Sequence, residues 1–425
     1  MEPLTSSYSI RVSTFNVHTS PPTESLHDLL GFDLDFYGNN KLNSELLPDV
    51  FAVGLQEVND YDSWVSAVDH VLFPWDTVRI HQTRMSGILL LVYCKRSIIA
   101  SIRRVKCVQV RTSTTKGALV LSLRISGVSL ALIACHLTAH PDKLRNRIQE
   151  YLNILDEANF PDQVQSILSH DYAIWFGDLN FRVNSCFSEV ISLIRNHHEN
   201  LDGVKDKRII QALIEKDQLT LARKSGEAFS EFNEAEVGFW PTYKYIPFTE
   251  KLDGSRVPSY TDRILFRFTP NAYELIDDKI RLDMVCKGYQ SHERYLLSDH
   301  KPVSASFQFL AFHGIPHINF LPVSWTLGSQ KDVWFTTRTL IPLAQDVIAI
   351  VKSSFNSLDQ ITYQVSVQPK ESKDIPPRVS FSQREKVWFR VSFAGIVLSQ
   401  TESYSLLYLR ERHVLGISPP FQVDL

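Results

Sequence analysis

The stretch WFGDLNFRV, residues 175–183, begins as a strand and ends as something else. Tyr172–Phe176 reads as a buried strand, yet it runs straight into Gly177, Asp178 and Asn180, with Arg182 just beyond. A carboxylate and an amide two residues apart at a strand end are costly to bury without partners. Taken alone, such a pair is most often a turn former. Its meaning depends on the company it keeps.

That company recurs along the chain. Asn16 follows the strand candidate SIRVSTF (9–15), and Gln56 and Glu57 follow VFAVGL (50–55). His136 and His140 follow VSLALIAC (128–135). Asp262 and Arg263 open RILFRF (263–268), and Asp299 and His300 immediately precede VSASFQFL (303–310). Six polar strand ends fit one picture, a shared rim on a pair of packed sheets, where catalysis at strand ends explains them jointly. Two further strands are expected at GILLLVYC (87–94) and ALVLSLRI (118–125), with helices over 142–158, 187–196 and 206–223. Strands outnumber helices and several are hairpin-spaced, which favours mixed sheets with flanking helices over a purely parallel sheet.

Around AFHGIPHINFLPV (311–323) the texture changes to short alternating strands, QITYQVSVQ (360–368), VWFRVSF (387–393) and SYSLLYL (403–409), separated by turns such as KESKDIPP. The expectation is a catalytic domain over 1–312 and a small antiparallel β-sandwich over 313–425, an interaction module with Trp334 and Trp388 in its core.

The bulk numbers exclude several classes. The chain has 425 residues, 44% hydrophobic and 21% charged, ordinary for a soluble globular protein. Its longest apolar runs are strand-sized, short of the roughly 20 residues of a membrane helix. Its N-terminus lacks a signal-peptide pattern and its C-terminus a lipidation cysteine, so the expected location is cytoplasmic. Five cysteines without a C-x-x-C pair argue for a reducing compartment and against structural zinc. None is followed six residues later by arginine, which excludes a cysteine-nucleophile phosphatase of the C-x5-R type. A net charge of −3 argues against a surface built to grip nucleic acid. The basic cluster Lys95, Arg96, Arg103, Arg104, Lys106 and Arg111 reads as a solvated strand edge, with an anionic membrane contact as the alternative.

The rim residues suggest metal-assisted attack by water on a phosphate ester. Asn16 and Glu57 are oxygen donors of the kind a hard ion such as Mg²⁺ takes. Asp178 could accept a proton from the attacking water, with Asn180 orienting it. His300, oriented by Asp262, could bind phosphoryl oxygens, helped by His136.

These residues also carry a family resemblance. WFGDLNFRV and RVPSYTDRILF (256–266) resemble the paired signature motifs of the inositol polyphosphate 5-phosphatases, in the superfamily that includes deoxyribonuclease I and the apurinic endonucleases. Supporting matches are FNV, QEV, CHLTAHPDK (135–143), EKDQL (215–219), PTYKY (241–245) and SDHKPV, in family order across residues 8–310. The tail SYSLLYLRERHVLGISPPFQVDL (403–425) resembles the end of a SKICH domain, as in the skeletal-muscle-and-kidney-enriched branch of that family. The resemblance implies a four-layer α/β sandwich and Mg²⁺-dependent removal of the 5-phosphate from phosphoinositides such as the 4,5-bisphosphate and 3,4,5-trisphosphate. It also implies peripheral association with plasma membrane or endoplasmic reticulum.

Carried over by motif, Asn16 and Glu57 are metal-site residues, His136 is a phosphate ligand, and Asp178 and Asn180 handle the nucleophilic water. Asp262 orients His300, and Asp299 supports the metal or phosphate site. Lys116, Lys244, Lys251 and Arg256 are expected to contact substrate; Arg182 and Arg263 are expected to brace the motifs, with substrate contact as an alternative role. One departure stands out: between Lys244 and Pro258 the chain carries only YIPFTEKLDGSR, where relatives have a longer run with extra lysines, so weaker reading of the neighbouring 4-phosphate is expected. Two alternatives remain at this point, a nuclease of the same superfamily and a catalytically silent phosphoinositide-binding scaffold.

Overall fold

VFAVGL and GILLLVYC are apolar on both faces, the pattern of strands covered on both sides. A computed structural model describes residues 5–32, 47–160, 166–198, 207–272, 280–312, 318–326, 331–338, 340–368, 371–372, 374, 376 and 386–424. Both runs are fully or almost fully buried strands within it. In chain order the first strands are β1 (Thr5–Asn16), β2 (Val50–Gln56), β3 (Thr77–Met85), β4 (Ile88–Lys95), β5 (Ile102–Arg111) and β6 (Gly117–Ile125). They are followed by β7 (Val128–His136), β8 (Tyr172–Asp178), β9 (Asp262–Phe268), β10 (Met284–Ser291) and β11 (Val303–Phe312). One sheet has the order β10-β11-β1-β2-β4-β3, the other β5-β6-β7-β8-β9. Both are mixed: β1 and β2 run parallel, as do β7 and β8, while the other pairings are antiparallel.

The sheets face each other through one apolar cluster that joins Val12, Ala52 and Leu90 to Leu121, Leu132 and Ile174. Gly54 lets them close in, because a Cβ there would meet the Phe176 ring at 2.7 Å. Helices α1 (His27–Leu30) and α2 (Tyr61–Leu72) cover the outer face of the first sheet through Leu30, Trp64 and Val68. On the second sheet α3 (Leu144–Glu157) packs Ile148, Tyr151 and Ile154 against Val120, Ile133 and Trp175. The later helices are α4 (Phe187–His198), α5 (Lys207–Glu215) and α6 (Gln218–Ser225). The result is the expected four-layer α/β sandwich. No described helix is long and apolar enough to cross a membrane.

One expected element divides. The helix expected over 206–223 is two, α5 and α6, because Asp217 leaves the helical register to cap α6 by accepting the Thr220 amide (3.0 Å); residue 206 itself lies outside the described residues.

Beyond Phe312 the described strands are short: β12 (Ile318–Phe320), β13 (Trp325–Thr326), β14 (Lys331–Thr337), β15 (Val347–Lys352) and β16 (Tyr363–Ser366). They continue as β17 (Trp388–Phe393), β18 (Tyr404–Arg410), β19 (His413–Ile417) and β20 (Val423–Asp424). They form sheets β12-β14-β17 and β16-β15-β18-β19, with β13 paired in parallel to β20. Phe335, Ile350, Val391 and Leu406 share their core, and Trp334 and Trp388 are buried beside it. The strand expected over 360–368 shortens to β16. The linker residues 313–317 and half of KESKDIPP lie outside the described residues.

These strands do not stand clear of the sandwich. β3 and β5 are edge strands, and an exposed edge is a template for aggregation. Both edges are covered. The Arg79 amide donates to Asn356 O (2.9 Å), and the Val105 amide donates to His413 Nε2 (3.2 Å). The Arg96 guanidinium lies over the Phe355 ring, 4.5 Å from its centroid. Phe355, Leu407, Leu409 and Val414 belong to the same apolar cluster as Val78, Ile99 and Ile102. A chain ending at Phe312 would therefore uncover two strand edges and an apolar seam. It is expected to aggregate, with a lowered melting temperature; light scattering and thermal melting check this, and a stable monomer would refute it.

Candidate active site

Strand register places the polar rim in rows. His136, Asp178 and Asp262 are direct partners across β7, β8 and β9, and Asn16 is paired with Gln56 across β1 and β2. Asp299 and His300 enter from the segment before β11. Gly177 makes the row possible: it sits at φ 145°, and a Cβ there would lie 2.0 Å from Cys135 O. Glu57 and Asn180 both occupy the left-handed region at φ 56°, uncommon for residues with a side chain and characteristic of backbone held for function.

The rows meet at Asp178, whose side chain is 1% exposed. Asn16 Nδ2 donates to Asp178 Oδ2 (3.0 Å) and the Asn180 amide donates to Oδ1 (3.0 Å). His136 Nε2 lies 3.3 Å from Asp178 Oδ2 and 3.9 Å from Glu57 Oε1, with the Lys116 ammonium against the same imidazole nitrogen. Opposite, His300 Nδ1 donates to Asp262 Oδ2 (2.8 Å), while its Nε2 lies 3.9 Å from Asp178 and 4.0 Å from Asp299. Thr242 and Thr261 hydroxyls also donate to Asp262 (2.7 and 2.8 Å), and the Tyr243 ring packs on His300 at 4.6 Å.

This network fixes the charges. Burial alone would neutralise Asp178, but His300, His136 and Lys116 hold its carboxyl well below the usual carboxylate range. Burial likewise opposes a charge on His300, yet Asp262 and Asp178 push its pKa up to about 9, so the imidazole is cationic at neutral pH. Burial lowers the Lys116 pKa against the pull of Asp178 and Glu57.

A hard divalent cation fits the oxygen-rich side of the cluster. Asp178, Asp262 and His300 bring ligand atoms within 4.8 Å of one another. That buried set is already closed by the His300–Asp262 ion pair. Glu57, 37% exposed, and Asp299 are the carboxylates a hydrated ion can reach, and both flank the His18 imidazole at 3.8 and 3.3 Å. Asn16 Oδ1 faces the same side and accepts the His18 amide (3.1 Å).

Other expected residues fall further out. Arg263 is engaged by two carboxylates. Its guanidinium is wholly buried, donating to Asp217 (2.8 Å) and to both oxygens of Glu234 (2.6 Å each). Burial opposes its charge, but Glu234 and Asp217 hold the pKa well above its ordinary value. Arg182 is committed to Asn180, donating to its backbone O (3.1 Å) and its Oδ1 (2.5 Å) beneath the Tyr243 ring. These two arginines brace the motifs. Lys244 pairs with Asp253 (3.2 Å) on the loop beside the site. Lys251 and Arg256 lie exposed on the same loop and make no ion pair among the described residues.

Sequence reasoning gave no role to His18, beside FNV, or to Thr242 and Tyr243, inside PTYKY. It also missed Arg147 and Glu150 on α3, which hold the segment after β7. Arg147 donates to Thr138 O and His140 O (3.0 and 2.7 Å), and Glu150 accepts the Thr138 amide (2.8 Å).

A buried carboxylate facing a cationic imidazole beside oxygen donors, on the rim of a four-layer sandwich, defines a phosphoesterase of the metal-dependent endonuclease–exonuclease–phosphatase class. The family model described as Endonuclease/Exonuclease/phosphatase family 2 matches residues 13–306. Mouse inositol polyphosphate 5-phosphatase K is 29% identical over 98% of this chain and 90% of its own length. Human phosphatidylinositol 4,5-bisphosphate 5-phosphatase A is also 29% identical over 98% of this chain, which spans 42% of that protein. The 5-phosphatase domain of SPsynaptojanin, solved with inositol (1,4)-bisphosphate and calcium, superposes with a TM-score of 0.60 at 27% identity, covering 72% of this chain and 86% of that one. The chain belongs to the inositol polyphosphate 5-phosphatase family.

The Arg263 network gives a direct test of bracing. Arg263→Met would leave Asp217 buried without its counter-charge and Glu234 with Arg223 alone, and is expected to cost about 3–5 kcal/mol of stability in urea unfolding. Unfolding at wild-type urea concentration would show that the arginine is not structural.

Proposed function

We propose that the chain hydrolyses the 5-phosphate of phosphoinositides, the 4,5-bisphosphate and 3,4,5-trisphosphate lipids, by direct attack of water with Mg²⁺ bound. The observation that carries this reading is the ionised Asp178 set opposite the cationic His300 (3.9 Å), with Glu57 open beside His136 and His18. A bound Mg²⁺ would neutralise charge on the phosphoryl oxygens. Glu57, Asn16 and Asp299 supply its oxygen surroundings. Asp178 receives a hydrogen bond from the attacking water and takes its proton as the bond to phosphorus forms and the bond from phosphorus to the inositol 5-oxygen breaks, that oxygen leaving as the alcohol with a proton from solvent. So low a pKa makes Asp178 a weak base, so its larger contribution is orientation, shared with Asn180. His300 and His136 donate to the phosphoryl oxygens, and Lys116 adds a point charge beside them. Residues 313–425 are read as a SKICH-like unit that brings the enzyme to partners or membranes.

Lys244 supports the expectation of weak 4-phosphate reading, since its ammonium is already paired with the loop's own Asp253. Lys251 and Arg256 are the remaining cations of that loop.

Phosphate release with Mg²⁺ is the test, measured on both lipids, on a lipid without the 4-phosphate, on soluble inositol trisphosphate and on abasic DNA. Release from the inositides is expected, lost on chelation, restored by Mg²⁺, and lowered about 10³-fold in Asp178→Asn. DNA cleavage without inositide turnover would sink the proposal. In the same assay Asp253→Asn is expected to raise kcat/KM for headgroups bearing a 4-phosphate relative to one lacking it. An unchanged ratio would show that the Lys244–Asp253 pair does not govern that choice.

A further inference from the structure

The loop that replaces the family's lysine-bearing segment carries an unusual tip. Ile246 is 45% exposed and Phe248 69%, side by side across Pro247, among the largest apolar exposures in the described sandwich. The loop is not slack. Tyr245 bridges Leu252, the Ile246 amide donates to Lys251 O (2.8 Å), and the Asp253 amide donates to Lys244 O (2.8 Å). Phe248 itself sits at φ 63°, a left-handed conformation that disfavours a residue with a side chain. A structure that holds an aromatic ring in water on a strained backbone presents it for contact.

The same loop is tied to the site. The Tyr245 amide donates to Asp299 O (2.9 Å) and the Phe248 amide to Leu296 O (2.6 Å), so the tip projects from the segment that carries Asp299 and His300. Lys251 and Arg256 follow it in the chain, exposed and without ion pairs among the described residues, with the exposed Glu250 between the tip and Lys251. An apolar tip followed in the chain by two exposed cations suits a bilayer surface, where the apolar side chains enter the acyl boundary and Lys251 and Arg256 stay with anionic headgroups.

We propose that Ile246–Pro247–Phe248 is a membrane wedge that inserts into an anionic lipid surface and holds the catalytic rim against it. This rests on the phosphoinositide reading of the site, and makes insertion rather than 4-phosphate contact the loop's main source of affinity for lipid substrate. The chain then works best on headgroups embedded in a bilayer, with soluble inositol phosphates bound only through the pocket.

The test separates wedge from chemistry. Full-length wild type and Ile246→Ser/Phe248→Ser are sedimented with vesicles of phosphatidylcholine and phosphatidylserine containing no inositide, so binding is read without turnover. Both side chains are exposed, and circular dichroism melting checks that the variant folds. The expected result is at least a tenfold loss of vesicle partition in the variant, the scale of one buried aromatic side chain. Turnover of soluble inositol trisphosphate is expected to stay unchanged while turnover of vesicle-borne 4,5-bisphosphate falls in parallel with partition. Equal partition of the two proteins, or none by either, overturns the wedge and leaves the tip to a protein partner. Absence of phosphate release from every substrate by wild type would instead strike the catalytic reading, with the sedimentation result still deciding the wedge.

Discussion

The hydrogen bond from Asn16 to Asp178 joins the two sheets, and much of the molecule's organisation follows from it. Asn16 ends β1 of one sheet and Asp178 ends β8 of the other, so the amide is held only if the sheets close to a fixed separation. The His300–Asp262 pair makes a second such stitch, again between the first sheet's approach to β11 and the second sheet's β9. Each stitch buries a carboxylate, which is costly unless hydrogen bonds and an opposing charge offset it. The apolar cluster between the sheets supplies the closure, and the stitches set the register of the rim. A site built this way is rigid because its polar groups cannot separate without leaving a charge unpaired in the interior.

Much of this was legible in the sequence, and the reason is local. Each apolar run ends at its polar residue, so the strand ends at Asn16, Gln56, His136 and Asp178 could be read directly, and strand-end polar groups on packed sheets have one natural meeting place. The roles of Arg263 and Arg182 were less legible. A motif arginine near a phosphate pocket looks alike from sequence whether it faces substrate or a neighbouring carboxylate. What decides is Glu234, 29 positions away in the chain from Arg263, which carries no motif of its own. The break between α5 and α6 was missed for a related reason: Asp217 looks like a tolerable helix residue until its pairing with Arg263 and its cap of Thr220 are known. Long-range pairing overrides local periodicity at such positions.

The covering of β3 and β5 bears on how the later strands should be understood. A module attached for targeting alone needs no share of the core, yet Phe355, Leu407 and Val414 pack into the cluster that lies between the catalytic sheets. β3 links the two regions physically. Its Arg79 amide is bonded to Asn356, and the hairpin at its other end brings Gly87 to Glu57, where the Val58 amide donates to Gly87 O (2.9 Å). The rim carboxylate and the later strands are thus joined through a single buried-edge strand, and displacement of one would be felt by the other.

The loop beside the site shows how a family scaffold can change its recognition without disturbing its chemistry. Asn16, Asp178 and Asp262 are fixed by sheet register, and none can move without losing a stitch. The 244–257 segment joins that register through backbone bonds at Tyr245 and Phe248, the buried Tyr245 ring, and Leu252 and Val257 packed against the core. The exposed Ile246 and Phe248 side chains lie outside those contacts. Here one lysine is neutralised by Asp253 and an apolar tip stands where further cations would be expected. Affinity drawn from a bilayer is indifferent to which phosphates the headgroup carries, whereas affinity drawn from lysines is not. A chain with this loop should therefore trade discrimination among headgroups for preference among surfaces, while Asp178 and His300 continue to face each other unchanged.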